Sequence, residues 1–379
     1  MKYLREIKEL AGVKVLVRLD LNVPVCDGKV VDDFRIRKIL PTIAYLQEKK
    51  AKIILMSHIE TPKDKPSLVP VAEYLKTFGV QCVFVKNYKN ALISIEKLDP
   101  GSVILLENLR EYEGEKKNDK NFAKELASFG DIYVNDAFAV SHRKHASVCA
   151  ITEFIPSYAG LLFEQELKHL STAFKPNHPF LFVLAGAKFE TKLPLIEKFI
   201  KIADQIFVGG ALANNFFKEQ GKEIGKSMVS PDNFNLSRFL GNPKLLLPID
   251  TVVVDGKTET KKVGQIKSDE MMYDAGPETL ALLGQAINKA KYILWNGPLG
   301  AYEQGFKQPT LELAKMIAQA TENGAKSVIG GGDTLATVAE LKIEDKFTFV
   351  STGGGAMLDY LAEGTLPGIE ALGGRVVIK

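Results

Sequence analysis

An α/β chain of two doubly wound, parallel-sheet domains is the fold the sequence predicts, and three observations carry that expectation. Short β-branched or apolar runs alternate with helix-period stretches along the chain. The runs are apolar almost throughout, as strands covered on both faces are. The alternation is interrupted once, at EFIPSYAGLLFEQELKHL, and then restarts. Strand–helix alternation implies parallel strands joined by right-handed crossovers.

In chain order, KVLVRLD (Lys14–Asp20), KIILM (Lys52–Met56), SVILLE (Ser102–Glu107) and DIYVND (Asp131–Asp136) read as buried strands. Amphipathic helices are expected between them, over 36–49 and 121–129. The Pro-Ser-Tyr-Ala-Gly break precedes one long helix, Leu161–Thr172, expected as a hinge helix, and the KPNHP turn follows it. The alternation resumes with FLFVLA and continues through QIFVGG, DTVVVD, YILWNG, KSVIGG and FTFVST. This places a first domain at 1–157 and a second at 158–360, each Rossmann-like, with no convincing internal repeat.

The composition narrows the function classes. With 379 residues, 46% hydrophobic and 25% charged, the chain reads as an ordinary globular protein of about two domains. Three widely spaced cysteines, with no CxxC or Cys/His cluster, argue against a disulfide framework or zinc site and for a reducing compartment. The start MKYLREIKELAG has no signal-peptide pattern, and no run of about 18 apolar residues exists, so a cytoplasmic protein without a membrane span is expected. A net charge of +3 is too weak to indicate nucleic acid. Arginine, the side chain that grips phosphate and carboxylate with a two-pronged fork, is scarce and concentrated in the first half.

In open parallel sheets, ligands sit beyond the carboxyl ends of the strands. In the second half, two triple-glycine turns open helices there: Gly330–Gly332 followed by Asp333 and Thr334, and Gly353–Gly355. Glycine lets backbone N–H groups approach a phosphate, and the following helix aims its positive end at it. Asp333 is placed to hold Mg2+, which takes one or two carboxylates plus substrate phosphates. Lys188 and Lys192, four apart after another strand, are expected to share a helix face. Asn296, Pro298 and Glu303 follow a further strand, with Glu303 suited to a ribose hydroxyl. Gly209 and Gly210 suit a flat base lying on backbone. GKEIGKS imitates a phosphate-binding loop but is one residue short and follows a helical pattern, and neither GxGxxG nor GxSxG occurs.

In the first half, Arg18, Asp20 and Asn22 fall at alternate positions, so on a strand they share a face. Arg18 is expected to pair with Asp20. Arg35, His58, Arg110 and Arg143 lie near other strand ends, and together they describe a site for a small anion. A structural reading stands beside each of these: solvated charge, a core histidine, tight turns.

Taken in order, VRLDLNVP, ENLR, NDAF with SHRKHAS, LAGAK, IGKS, DAGP, LWNGPLGAYE, GGGDT and STGGGA resemble the signatures of phosphoglycerate kinase, from about residue 15 to the C-terminus. The resemblance implies reversible phosphoryl transfer between 1,3-bisphosphoglycerate and MgADP, giving 3-phosphoglycerate and MgATP. It implies Asp20, Asn22, Arg35, His58, Thr61, Arg110 and Arg143 on the glycerate side. On the nucleotide side it implies Gly186, Lys188, Lys192, Gly209, Gly210, Asn296, Pro298, Glu303, Gly331, Gly332, Asp333 and Thr334, with Asp333 on the metal. Arg35, Lys188 and the turn at Gly354 would neutralise the phosphoryl group in flight. A segment 361–379 packing back on the first domain, hinges near 155–162 and 351–355, and a monomer are also implied.

The sequence departs from the family pattern after His58, where Glu60-Thr61-Pro62 replaces Gly-Arg-Pro. A missing charge-assisted bond at Thr61 would weaken binding roughly 10- to 100-fold unless Lys63 or Lys65 compensates. Glu111 and Ala139 replace a family aromatic and glycine. Two other readings share these residues: a related kinase for a different small acid, and a nucleotide-binding interaction protein without turnover.

Overall fold

The computed structural model describes residues 1–60, 66–232, 234–255 and 257–374. It divides into two compact units, Met1–Lys168 with Glu363–Lys379, and His169–Ala362. The chain leaves the first unit within a helix, Leu161–Ser171, and returns within another, Gly355–Glu363. The first division therefore lies inside that helix, past the Pro-Ser-Tyr-Ala-Gly break. Among the described residues no helix is long and apolar enough to cross a membrane.

The first unit holds a parallel sheet of six strands: β1 (Lys14–Arg18), β2 (Lys52–Met56), β3 (Cys82–Val85), β4 (Val103–Leu106), β5 (Ile132–Asn135) and β6 (Ser157–Ala159). Their spatial order is β3-β4-β2-β1-β5-β6. The central strands are apolar at successive positions because helices cover both faces. Helix α1 (Phe34–Glu48) turns Ile36, Ile39, Ile43 and Leu46 inward at helical spacing, onto Val15, Val17, Ile53 and Leu55. β1 ends at Arg18, two residues before the expected Asp20. There the Asp20 carboxylate accepts the Asn22 N–H, a turn that takes the chain off the sheet. In the C-terminal segment, the Gly368 N–H donates to the Ser141 carbonyl at 2.8 Å.

The second unit repeats the plan with β7 (Phe180–Leu184), β8 (Gln205–Val208) and β9 (Leu245–Leu246). Of the strands after these, β10 (Asp250–Asp255), β11 (Lys257–Lys262) and β12 (Met272–Ala275) lie apart, while β13 (Tyr292–Asn296), β14 (Lys326–Gly330) and β15 (Phe349–Val350) rejoin it. The main sheet is parallel in the order β9-β8-β7-β13-β14-β15. Its core is aromatic: Phe182 meets Phe199 edge-on at 5.1 Å, and Phe199 lies on α2 (Phe189–Ile202).

One expected strand does not join this sheet. DTVVVD forms β10, which pairs antiparallel with β11 and β12 in a separate three-stranded sheet. β11 begins two positions after β10 ends, which leaves room for a hairpin but not for a crossover helix. The charged KTETKK strand keeps one edge of this sheet in water.

Candidate active site

The carboxyl ends of four neighbouring strands of the first unit deliver the anion-binding candidates. Asp20 and Asn22 follow β1, His58 follows β2, Arg110 follows β4 and Arg143 follows β5, while Arg35 opens α1. Arg35 Nη1 donates to Asp20 Oδ2 at 2.6 Å and to the Asn22 carbonyl at 3.3 Å, with about a third of its side chain open to water. Asn22 Oδ1 accepts the Glu60 N–H at 2.9 Å, tying the loops after β1 and β2 together.

His58 is fully buried, and its basicity lies well below that of a free imidazole. Burial is the main cause; Arg18, Arg110, Arg35 and Arg143 add to it. Four guanidinium groups acting on one ring describe a cationic pocket. Arg18 Nη2 faces His58 Nδ1 at 3.2 Å. A guanidinium only donates, so Nδ1 accepts and the ring proton sits on Nε2.

Arg18 does not pair with Asp20. It is wholly buried and donates to Ser147 Oγ at 2.8 Å and to the Leu19 carbonyl, with Glu115 at 4.0 Å. The shared face required the strand to continue, and it stops at Arg18. Glu115 went unnoticed in the sequence. Its buried carboxylate accepts Ser147 Oγ and N–H at 2.6 and 2.9 Å, so it supports Arg18 from behind. Thr61, Lys63 and Lys65 lie outside the described residues.

In the second unit a cavity of about 790 Å³, the size of a small-ligand site, opens beyond the carboxyl ends of β7, β8, β13 and β14. Gly186, Lys188, Lys192, Gly209, Gly210, Asn296, Pro298, Glu303, Gly331, Gly332, Asp333 and Gly354 all line it. Thr334 does not. It is fully buried, and its hydroxyl accepts the Gly297 N–H at 2.9 Å, so it shapes the wall from behind. Asn296 likewise spends its amide on the Gly330 carbonyl at 2.7 Å.

Lys188 and Lys192 differ more than their spacing suggests. Lys188 precedes α2 with non-helical backbone angles and is exposed, whereas Lys192 lies inside the helix and is buried. Burial pulls the Lys192 ammonium down, the Asp333 carboxylate opposes the shift and Lys188 adds to it, leaving the group at about 8. Its Nζ donates to the Ala185 carbonyl. Two of the cavity glycines with positive φ illustrate why a side chain is excluded. Gly210 has φ +60, and a Cβ there would stand 2.7 Å from the Gly186 nitrogen; Gly331 has φ +109, and a Cβ would stand 2.9 Å from Asn296 Nδ2. Asp333, half-buried in the first turn of α3 (Gly332–Leu341), presents one carboxylate to the cavity. An Asp carboxylate beside a glycine turn, with no Cys or His among the cavity's lining residues, fits the donor set of Mg2+ and not that of zinc.

Comparison with known proteins decides the family. The family model described as "Phosphoglycerate kinase" matches residues 4–364. The chain belongs to the phosphoglycerate kinase family. It is a phosphotransferase with a carboxyl group as acceptor, serving glycolysis. The phosphoglycerate kinase of Rubrobacter xylanophilus is 42% identical over 381 residues, covering 96% of each chain. That of Dictyoglomus turgidum is 41% identical over 384 residues, again covering 96% of each. Among solved structures, the Coxiella burnetii and Pyrococcus horikoshii phosphoglycerate kinases match with TM-scores of 0.84 and 0.86 at 35% and 30% identity, each over 98% of both chains. The two-sheet parallel architecture of the kinase is the one those structures share.

The cavity also has walls that sequence reading assigned no role, among them Asp274 of DAGP. Its carboxylate packs against Gly300, where a Cβ would come within 2.2 Å, and burial pushes it up to about 7. A carboxylate inside a quoted motif, three residues before a helix-opening proline, was the available signal.

Proposed function

We propose that the cationic cluster of the first unit binds 3-phosphoglycerate or 1,3-bisphosphoglycerate and that the cavity of the second binds ATP or ADP. The observation that supports this division is the convergence of four guanidinium groups on His58 in one unit and a glycine-lined cavity in the other. Asp20, Asn22, His58, Arg110 and Arg143 hold the acid. Gly209, Gly210 and Pro298 seat the base, Glu303 takes the ribose, and Gly331 and Gly332 meet the phosphates. Asp333 would hold Mg2+, which supplies charge neutralisation at the phosphates when bound.

Phosphoryl transfer asks for positioning and for cations around the equatorial oxygens. Arg35, half-exposed, and Lys188, exposed, are suited to that role, and the Gly354 turn offers backbone N–H groups. Transfer is direct and in line: the carboxylate oxygen of 3-phosphoglycerate attacks the γ-phosphorus as the bond to the ADP oxygen breaks. The reacting atoms must come to about 3–3.5 Å, which calls for closure of the two units with exclusion of water. Three unpaired cysteines fit a reducing cytoplasm, and a monomer follows from the resemblance alone.

The test is 3-phosphoglycerate-dependent ADP formation from MgATP, measured for the wild type and for Lys188→Ala. Turnover that survives this substitution at full rate overturns the assignment of Lys188. Small-angle scattering with both substrates should show compaction; an unchanged radius of gyration overturns closure.

A further inference from the structure

The loops after β2 and β4 are pinned together by one side chain. Asn108 Oδ1 accepts the Ile59 and Arg110 N–H groups at 3.2 and 3.1 Å, and its amide donates to the Ile59 carbonyl at 2.9 Å. This brings Glu60, the next residue along, to the Arg110 guanidinium, and the two form an ion pair. The pair is lopsided. The Arg110 side chain is 4% exposed and that of Glu60 is 55% exposed. Only Nη1 of Arg110 meets Glu60; Nε and Nη2 are buried with no hydrogen-bond partner among the described residues. Burial and the neighbouring Arg143 and Arg18 all work against the Arg110 charge, and Glu60 works for it. A buried guanidinium with two idle donors, capped by a carboxylate held at the rim, is an anion site filled by the chain's own anion.

We propose that Glu60 is an internal competitor of the substrate phosphate: its carboxylate occupies Arg110 until a phosphate bearing three acceptor oxygens displaces it and engages the idle donors as well. The inference rests on reading this cluster as the substrate site. It assigns Glu60 a selective effect. Acids that need Arg110 must displace the carboxylate, whereas acids without a phosphate never meet that cost. Glu60 thus narrows the preference of the site for phosphorylated over unphosphorylated acids. Its backbone stays tied to Asn22 whatever the side chain does, so the effect belongs to the carboxylate.

The test compares the wild type with Glu60→Gln and Glu60→Gly. A charge-assisted bond to a half-exposed partner sets the expected fall in KM for 3-phosphoglycerate at about tenfold, with KM for MgATP unmoved. Inorganic phosphate should raise the melting temperature more in Glu60→Gln than in the wild type, a reading that needs no turnover. D-glycerate, which carries no phosphate, should keep its inhibition constant. If Glu60 merely props Arg110 in place, KM for 3-phosphoglycerate rises instead, and an unchanged or raised KM overturns the inference. Arg110→Ala separates this from failure of the underlying reading. If Arg110→Ala leaves KM for 3-phosphoglycerate unaltered, the cluster is not the phosphate site; if it raises KM while Glu60→Gln fails to lower it, only the competitor role falls.

Discussion

The two proposed binding regions would meet phosphate by opposite means. In the first unit the work falls to side chains: four guanidinium groups, one imidazole and the carboxylates that brace them. In the second unit it falls largely to backbone, with glycine turns framing the cavity and Lys188, Lys192 and Asp333 beside them. A site made of charges should be sensitive to any new charge nearby, which is the role proposed for Glu60. A site made of backbone is sensitive instead to any new Cβ. Single substitutions should therefore act by different physics in the two units.

The largest effect is expected at Arg35. Arg35→Ala should lower kcat by about 10³-fold, the scale of an arginine that meets a phosphoryl group in transfer, while KM for MgATP stays within about twofold. Steady-state kinetics with varied MgATP and 3-phosphoglycerate decide it. A loss of less than about tenfold would mean that the backbone-built region carries the transferring charge as well, and the contrast between the units would break.

Buried carboxylates sharpen the contrast next. Asp20 has Arg35 at 2.6 Å. Asp274 accepts the Ala275 N–H and forms no ion pair among the described residues. Its folded carboxyl is raised to about 7 from 3.8, so between those values the folded state keeps a proton that the unfolded chain has released. Stability from this group is therefore present at low pH and is lost as pH rises from about 4 through about 7, by at most about 4 kcal/mol. Asp274→Asn should remove that slope: relative to the wild type, its urea midpoint should rise between pH 5 and pH 8. Asp136, pushed up to about 6 by burial, has the same sign and cancels in the comparison. A difference between the two proteins that is flat with pH would show that Asp274 is paired in solution.

Smaller again is the backbone test. Gly210→Ala would place a Cβ 2.7 Å from the Gly186 nitrogen at φ +60. A strain of roughly 1–3 kcal/mol is expected, read as a rise in KM for MgATP of about ten- to hundredfold with KM for 3-phosphoglycerate unmoved. Equal changes in both constants would place the damage in the fold and not in the cavity.

How much of this was legible in the sequence follows from the same division. Glycine turns announce themselves, because a run of glycines between an apolar strand and a helix has few other uses. Every cavity residue expected from sequence lines the cavity except Thr334, whose hydroxyl turns inward to the Gly297 N–H. Side-chain pairing was less legible. Arg18 and Asp20 look like partners on paper, yet the strand ends between them and Arg18 finds Ser147, 129 positions away in sequence. Glu115 and Glu60 gain their roles only through contacts made by loops after other strands. DTVVVD reads as a parallel strand because apolar content alone does not distinguish a crossover from a hairpin; the distance to the next strand does.

Lys192 offers the smallest and most specific test, because it is a buried lysine in the wall of the backbone-built cavity. Burial holds its ammonium at about 8, against 10.5 for a free lysine, so near neutral pH it is still mostly charged. Above about pH 8 the nucleotide-free enzyme loses that proton, and MgATP then binds a neutral amine or must restore the proton. KM for MgATP should be flat below pH 8 and rise by up to about tenfold one unit higher, the fraction still protonated having fallen to about a tenth. KM for 3-phosphoglycerate, bound by guanidinium groups that do not titrate there, should stay level. Lys192→Met should have a weaker but pH-independent KM for MgATP. If the alkaline rise persists in that variant, the titrating group lies elsewhere. If instead both substrates weaken together in the wild type, the proton is shared by the two sites, and the separation between a charge-built and a backbone-built region no longer holds.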